Sequence, residues 1–159
     1  MPSPDTPGPG VPGRARRRPG WVPAVVAVLV GAGVGLLGTV LHLNFSWIGG
    51  TSTAEGAWVL PWGAVLALLL TGSAQLWWTL RSSVPWAGGV VAIAAFTTAM
   101  VLGNWPGLDT WAVGANEYTL AVLPGPAIAG TVWTWGIPVV AILTMLLAQP
   151  LLRHPVASD

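Results

Sequence analysis

The sequence predicts an all-α fold, a four-helix transmembrane bundle with both termini cytoplasmic, and three observations carry that prediction. First, only 7% of the 159 residues are charged and 53% are hydrophobic, with a mean hydropathy of +0.69. A soluble domain carries about 25% charged residues, so six arginines and five acids cannot give this chain a water-facing surface. Second, four long stretches contain no Asp, Glu, Lys or Arg. Third, all the arginines fall on one side of the topology those stretches imply.

Residues 1–20, rich in Pro and Gly, end in the cluster Arg14, Arg16, Arg17 and Arg18. Such a segment has too little apolar surface to offset its chain entropy, so a disordered cytoplasmic tail is expected. The transmembrane domain then covers 21–153, and a short cytoplasmic tail covers 154–159. Its expected spans are Val22–Leu43, Trp58–Leu80, Pro85–Gly103 and Ile128–Leu152. Each approaches the roughly 20 residues that a helix needs to cross about 30 Å of hydrocarbon. Helix is the expected conformation because a spanning segment must satisfy its own backbone; the alternating polarity of a β-barrel is absent. The third stretch is the shortest, and its alternative is a re-entrant or interfacial helix. The first is too long for a signal-peptide core, and no clean cleavage site follows it.

With four spans, one side holds Arg14, Arg16, Arg17, Arg18, Arg81 and Arg153, and the other holds Glu55, Asp109 and Glu117. The positive-inside rule makes the arginine side cytoplasmic. The eleven tryptophans fit the same frame. Trp21, Trp77, Trp78 and Trp86 fall near the inner ends, and Trp47, Trp58, Trp62, Trp105, Trp111, Trp133 and Trp135 near the outer ends. Two interfacial belts are the expected reading, an outer aromatic ligand cage the alternative.

Small residues mark packing faces. Ala27, Gly31, Gly35, Gly38 and His42 share one face of the first span, and Gly88, Ala92, Ala95, Ala99 and Gly103 one face of the third. Small side chains let helices approach closely in lipid, so both faces are expected inside the bundle. The halves also show a faint likeness: Val25–Val28 with Leu37-Gly38 matches Val90–Ile93 with Leu102-Gly103, and Trp62-Gly63 with Leu70-Thr71 matches Trp135-Gly136 with Leu143-Thr144. A true parallel repeat would give pseudo-twofold symmetry about the membrane normal; coincidence in a degenerate alphabet is the alternative.

Candidate polar functional positions are few. His42 lies at the outer end of the first small-residue face, as a ligand or proton-handling group or as an interfacial histidine bonded to a carbonyl. Gln75 is expected to bond across helices, with Thr97 or Thr98 as partner. Pro138 should kink the fourth span, as a structural bend or as a gate. The loop 104–127 is too apolar for disorder and is expected to lie along the outer interface, with Asp109 capping a short helix. Asp109, Asn116, Glu117 and Tyr118 are its candidate residues.

No catalytic pattern is present: no GxSxG, HExxH, CxxC, P-loop or paired carboxylates. The chain has no cysteine. No catalytic, cofactor-binding or metal-binding residue is assigned, and the arginine cluster beside a span is read as a topology signal that touches lipid, not nucleic acid. Spans without ionisable groups also speak against ion-coupled transport. The expectation is a non-enzymatic plasma-membrane accessory protein or self-associating bundle, its partners the bilayer and a second copy or another membrane protein. The alternative is a carrier or binder of a neutral or lipidic small molecule between spans one, three and four.

An Arg-ended Pro/Gly tail, a Gly-rich first span, Val59-Leu60-Pro61-Trp62-Gly63 and Leu102-Gly103-Asn104-x-Pro106-Gly107-x-Asp109 stand together in this chain. Over about residues 25–150 this pattern resembles a family of small uncharacterised actinobacterial integral membrane proteins with four predicted spans. The resemblance implies four spans and brings no activity or site residue.

Overall fold

The computed structural model describes residues 21–49, 58–84, 86–107 and 114–153, the side chain of Arg153 excepted. The elements in order are α1 (Trp21–Leu41), β1 (Ser46–Ile48), β2 (Trp58–Leu60), α2 (Trp62–Ser82), α3 (Ala87–Gly103), α4 (Glu117–Val122) and α5 (Pro124–Arg153). The described residues are mostly helical, with one small antiparallel strand pair, called the hairpin below. Among the described residues three helices, α1, α2 and α5, are long and apolar enough to cross a membrane; α3 is a shorter apolar helix of 17 residues.

Two expected boundaries are corrected. The second stretch does not begin as helix: Trp58–Leu60 pairs antiparallel with Ser46–Ile48, Trp47 opposite Val59. Pro61 is the reason. Proline has no N–H and disfavours the helical region for the residue before it, so α2 starts only at Trp62. The fourth stretch is longer than expected, because α5 starts at Pro124 rather than Ile128. Pro124 and Pro126 stand in its first turn, where no intrahelical donor is needed.

Local bonds fix the turns at the two ends. Asn44 ends α1, its amide Nδ2 donating to the Leu41 carbonyl at 3.0 Å. The Asn44 carbonyl in turn accepts from Gly63 N–H at 3.0 Å, which ties the start of α2 to the end of α1. At the opposite end Ser83 closes α2 in the left-handed conformation, φ 53°.

Close backbone approaches set the helix order. A Cβ on Gly31 would meet the Val91 carbonyl and Ala94, and one on Gly35 would lie 2.5 Å from the Ala95 carbonyl. These matched pairs make α1 and α3 parallel. Gly72 against Val140, and Gln75 bonded to Thr144, make α2 and α5 parallel in the same way. Gly88 of α3 seats on Thr79 and Gln75 of α2, and Gly38 of α1 on the Trp133 indole of α5.

Most of the buried apolar residues are small, among them Ala27, Ala64, Ala67, Ala87, Ala92, Ala95, Ala99, Ala127, Ala129 and Ala148 with the interior glycines, and Val34, Val91, Ile137, Trp78 and Trp133 are the larger exceptions. Leu29, Leu37, Leu69, Ile93, Ile142 and Leu147 face outward. A water-soluble bundle buries the large aliphatics; this one packs small residues inside and presents large ones, as helices in lipid do.

The pseudo-twofold arrangement expected of a parallel repeat is not what forms. It would require α1 to pack on α5 as α2 packs on α3. Instead α2 and α3 are in direct contact, while α1 and α5 are the separated corners of the bundle. The Trp133 ring on Gly38 bridges them near one end.

Candidate functional site

At the hairpin end, a cavity of about 340 Å³ lies among α1, α3 and α5. Thr39 and His42 come from α1 and its C-terminal turn, Gly103 and Asn104 from the end of α3, and Trp133 and Thr134 from α5. The separation of α1 from α5 leaves this space open, and small residues on its walls, Ala99, Gly103 and Gly130, keep it so.

Two aromatic rings dominate the interior. His42 is 1% exposed and Trp133 is 2% exposed. The rings lie nearly parallel, at 14°, with centroids 6.3 Å apart. His42 is held by the last bond of α1, its N–H donating to the Gly38 carbonyl at 2.8 Å. Trp133 is held by the glycine socket at Gly38 and by Ala64, Ala67, Ala99 and Ile137. Nε1 of Trp133 is buried and has no hydrogen-bond partner among the described residues; the buried His42 ring lies against the backbone of Thr39 and Gly38, but its Nδ1 forms no well-aligned hydrogen bond there. A buried polar group without a partner costs about 1–3 kcal/mol, so each such atom calls for an explanation; Gln75 Nε2 and Trp78 Nε1 share the condition.

The hydroxyls around them are already engaged as donors. Thr39 donates to the Gly35 carbonyl at 2.7 Å and Thr131 to the Ala127 carbonyl at 2.7 Å. Their oxygens remain acceptors, and neither is activated by His42. The Asn104 amide donates to the Met100 carbonyl at 2.7 Å. Pro138 has no N–H to give the Thr134 carbonyl, one turn earlier on the cavity wall. The described lining contains no charged side chain. The arrangement can therefore hold a neutral molecule by one or two hydrogen bonds and apolar contact.

The other candidate positions lie apart from the cavity. Gln75, fully buried, accepts from Thr144 Oγ1 at 2.8 Å across α2 and α5, not from Thr97 or Thr98. Those two threonines lie on the α1–α3 surface, away from α2. Its Nε2 has no partner among the described residues. Asn116 caps α4 rather than binding anything: its Oδ1 accepts from Thr119 N–H at 2.8 Å, and Thr119 Oγ1 accepts from Asn116 N–H at 2.9 Å. The short helix α4 begins at Glu117, whose acid sits in its first turn; the helix expected at Asp109 falls outside the described residues. Tyr118 is 72% exposed. Asp109, Glu55 and Trp111 lie outside the described residues.

Of the packing residues, Ala27, Gly31, Gly35, Gly38, Gly88, Ala92, Ala95 and Ala99 are buried, and Gly103 is half-buried on the cavity wall. Two tryptophans depart from the expected belts. Trp133 and Trp78 are core residues, whereas Trp21, Trp58, Trp77, Trp86, Trp105 and Trp135 are exposed. Trp133 is thus the site residue that belt reasoning missed. Its signal was the α5 stripe Ala129, Trp133, Ile137, Thr144 and Ala148, spaced by fours and a seven.

Comparison with protein-family models, with curated proteins and with solved structures gives no match for this chain.

Proposed function

We infer that the protein crosses the plasma membrane four times with both termini cytoplasmic, and that it binds a small neutral molecule in the hairpin-end cavity without catalysing a reaction. One observation carries the binding: buried ring nitrogens of His42 and Trp133 that lack a well-aligned hydrogen bond among the described residues, beside a cavity walled by α1, α3 and α5. A ligand that offers an acceptor to the indole N–H and a complement to the imidazole relieves both. At about 340 Å³ the cavity falls at the small end of ligand pockets, which run from about 300 to 1,000 Å³. Threonines that donate only to their own helices supply no nucleophile, which favours binding over chemistry.

Three sufficiently long apolar helices support the membrane setting. The fourth span rests on α3 lying parallel to α1, with Gly31 and Gly35 seated on Val91 and Ala95. That match supports a similar depth for α3 and α1, and its 17 residues give about 26 Å of rise. Orientation rests on the arginines, with Arg81 and the end of α5 opposite the hairpin and α4.

The self-associating bundle is the weaker reading. Its support was the glycine faces, and Gly31, Gly35, Gly38 and Gly88 are occupied by contacts within the chain. A second copy or another membrane protein would have to dock on the large aliphatic faces, where nothing separates a partner from lipid.

Native mass spectrometry of protein released directly from membrane vesicles tests the binding. The expected result is a small-molecule adduct on the wild type that is depleted in Trp133→Phe and in His42→Ala. A wild type without an adduct, or one whose adduct survives both substitutions, overturns it.

A further inference from the structure

A second cavity, of about 520 Å³, lies at the opposite end of the bundle between the first turns of α1 and the α2–α3 turn. Its walls are largely apolar, with Val22, Val26, Ala27 and Val84 among them. Two polar features stand out against that lining. Arg81 contributes an exposed guanidinium, 5.9 Å from the Trp77 ring centroid, which holds the cation over an aromatic face. Trp78 lines the same cavity at 8% exposure, and its Nε1 has no partner among the described residues.

Among the described residues no carboxylate answers that cation. The one acid among the described residues is Glu117, on α4 at the other end of the molecule. A cation at the mouth, a buried uncharged donor and an aliphatic wall call for one kind of occupant. It must carry negative charge, accept hydrogen bonds and continue into hydrocarbon.

We propose that this cavity binds an anionic phospholipid, its phosphodiester held by Arg81 and the Trp78 indole N–H and the start of an acyl chain laid along Val22, Val26 and Val84. A free phosphate would leave the aliphatic wall empty. A zwitterionic lipid would bring an ammonium group beside the guanidinium. The volume suits a headgroup and the first carbons of a chain, the rest running along the outer face of the bundle. The site is independent of the hairpin-end cavity, which lies at the far end of α1.

The test is a titration of the delipidated full-length chain in neutral detergent, read by native mass spectrometry. The probes are dioleoyl phosphatidylglycerol, dioleoyl phosphatidylcholine and glycerol phosphate. Phosphatidylglycerol should bind about tenfold or more tightly than phosphatidylcholine, the scale of a charge-assisted hydrogen bond. Arg81→Gln should abolish that preference. Trp78→Phe, which keeps an aromatic side chain, though a smaller one, and removes the N–H, should weaken phosphatidylglycerol about three- to tenfold. Asn116→Ala, at the opposite end, should change nothing, and glycerol phosphate should bind too weakly to detect. Equal affinity for the two lipids overturns the proposal. So does a Trp78→Phe protein that binds like the wild type, which would reduce the effect to charge attraction at Arg81. Glycerol phosphate binding as tightly as the lipid would make this a soluble-anion site and also overturn it. Should Trp78→Phe fail to fold, Val22→Trp, which fills the apolar wall, takes its place: it should weaken phosphatidylglycerol, and wild-type affinity in it would overturn the proposal.

Discussion

Gly35→Ala offers the sharpest test of the α1–α3 contact. The added Cβ would lie 2.5 Å from the Ala95 carbonyl oxygen and 2.9 Å from the Ala95 Cα, where ordinary contact begins at 3.4 Å. Both are backbone atoms and cannot rotate away, so α3 must retreat by up to about 0.9 Å from its seat. A radial gap of about 0.5–1 Å forfeits a quarter to a half of each dispersion contact along the interface. Overpacking of this kind costs about 1–3 kcal/mol. Alanine also gains up to about 1 kcal/mol over glycine in helix propensity, which would mask part of the loss. Gly33→Ala removes the ambiguity, because Gly33 is exposed and a Cβ there meets nothing within 4 Å. The propensity gain is common to both, so the difference between the two variants isolates the clash. SDS titration in mixed micelles, followed by far-UV circular dichroism, should place Gly35→Ala about 1–3 kcal/mol below Gly33→Ala. Equal stability of the two would refute the close parallel packing of α1 and α3.

Three further outcomes follow from other contacts. A double-mutant cycle of Gln75→Leu and Thr144→Val should return a coupling of about 0.6–1.7 kcal/mol, the range for interhelical hydrogen bonds in membrane proteins; additive effects would mean the pair does not bond. Trp133→Ala should destabilise by about 3–5 kcal/mol as a buried aromatic lost from the core, whereas Trp135→Ala, at an exposed ring, should cost far less; similar losses in the same titration would restore Trp133 to the interface. Asn116→Ala removes the cap of α4 and should cost that short helix about 1 kcal/mol. Hydrogen exchange should therefore quicken at the Thr119 and Leu120 amides and stay unchanged in α2, and uniform change would deny a local cap.

The helical class and the small-residue faces were legible because lipid leaves little choice: an uncharged stretch must be helical, and only small side chains permit close approach. What was not legible came from rules that read position along the chain and ignored periodicity. Trp78 and Trp133 lie near span ends, so belt reasoning placed them at the interface. Yet Ala64, Ala67, Thr71, Gln75 and Trp78 recur at threes and fours, and that stripe turns the indole inward. Likewise Pro61 sat inside an apolar run whose hydropathy concealed a break in the backbone. The cavity was hidden for another reason. It arises where α1 and α5 stand apart, and the separation of two elements distant in sequence leaves no local trace. Gln75 announced an interhelical bond, but its partner depended on which helix lies parallel to α2, which the span order alone does not fix.

Because the chain has no cysteine, single-cysteine labelling reads the topology directly. Ser83→Cys reports the α2–α3 turn and Tyr118→Cys reports α4, both at exposed positions. A membrane-impermeant maleimide applied to intact cells should label Tyr118→Cys and leave Ser83→Cys untouched until the membrane is permeabilised. Labelling of both positions in intact cells, or of Ser83→Cys alone, would contradict four crossings with cytoplasmic ends.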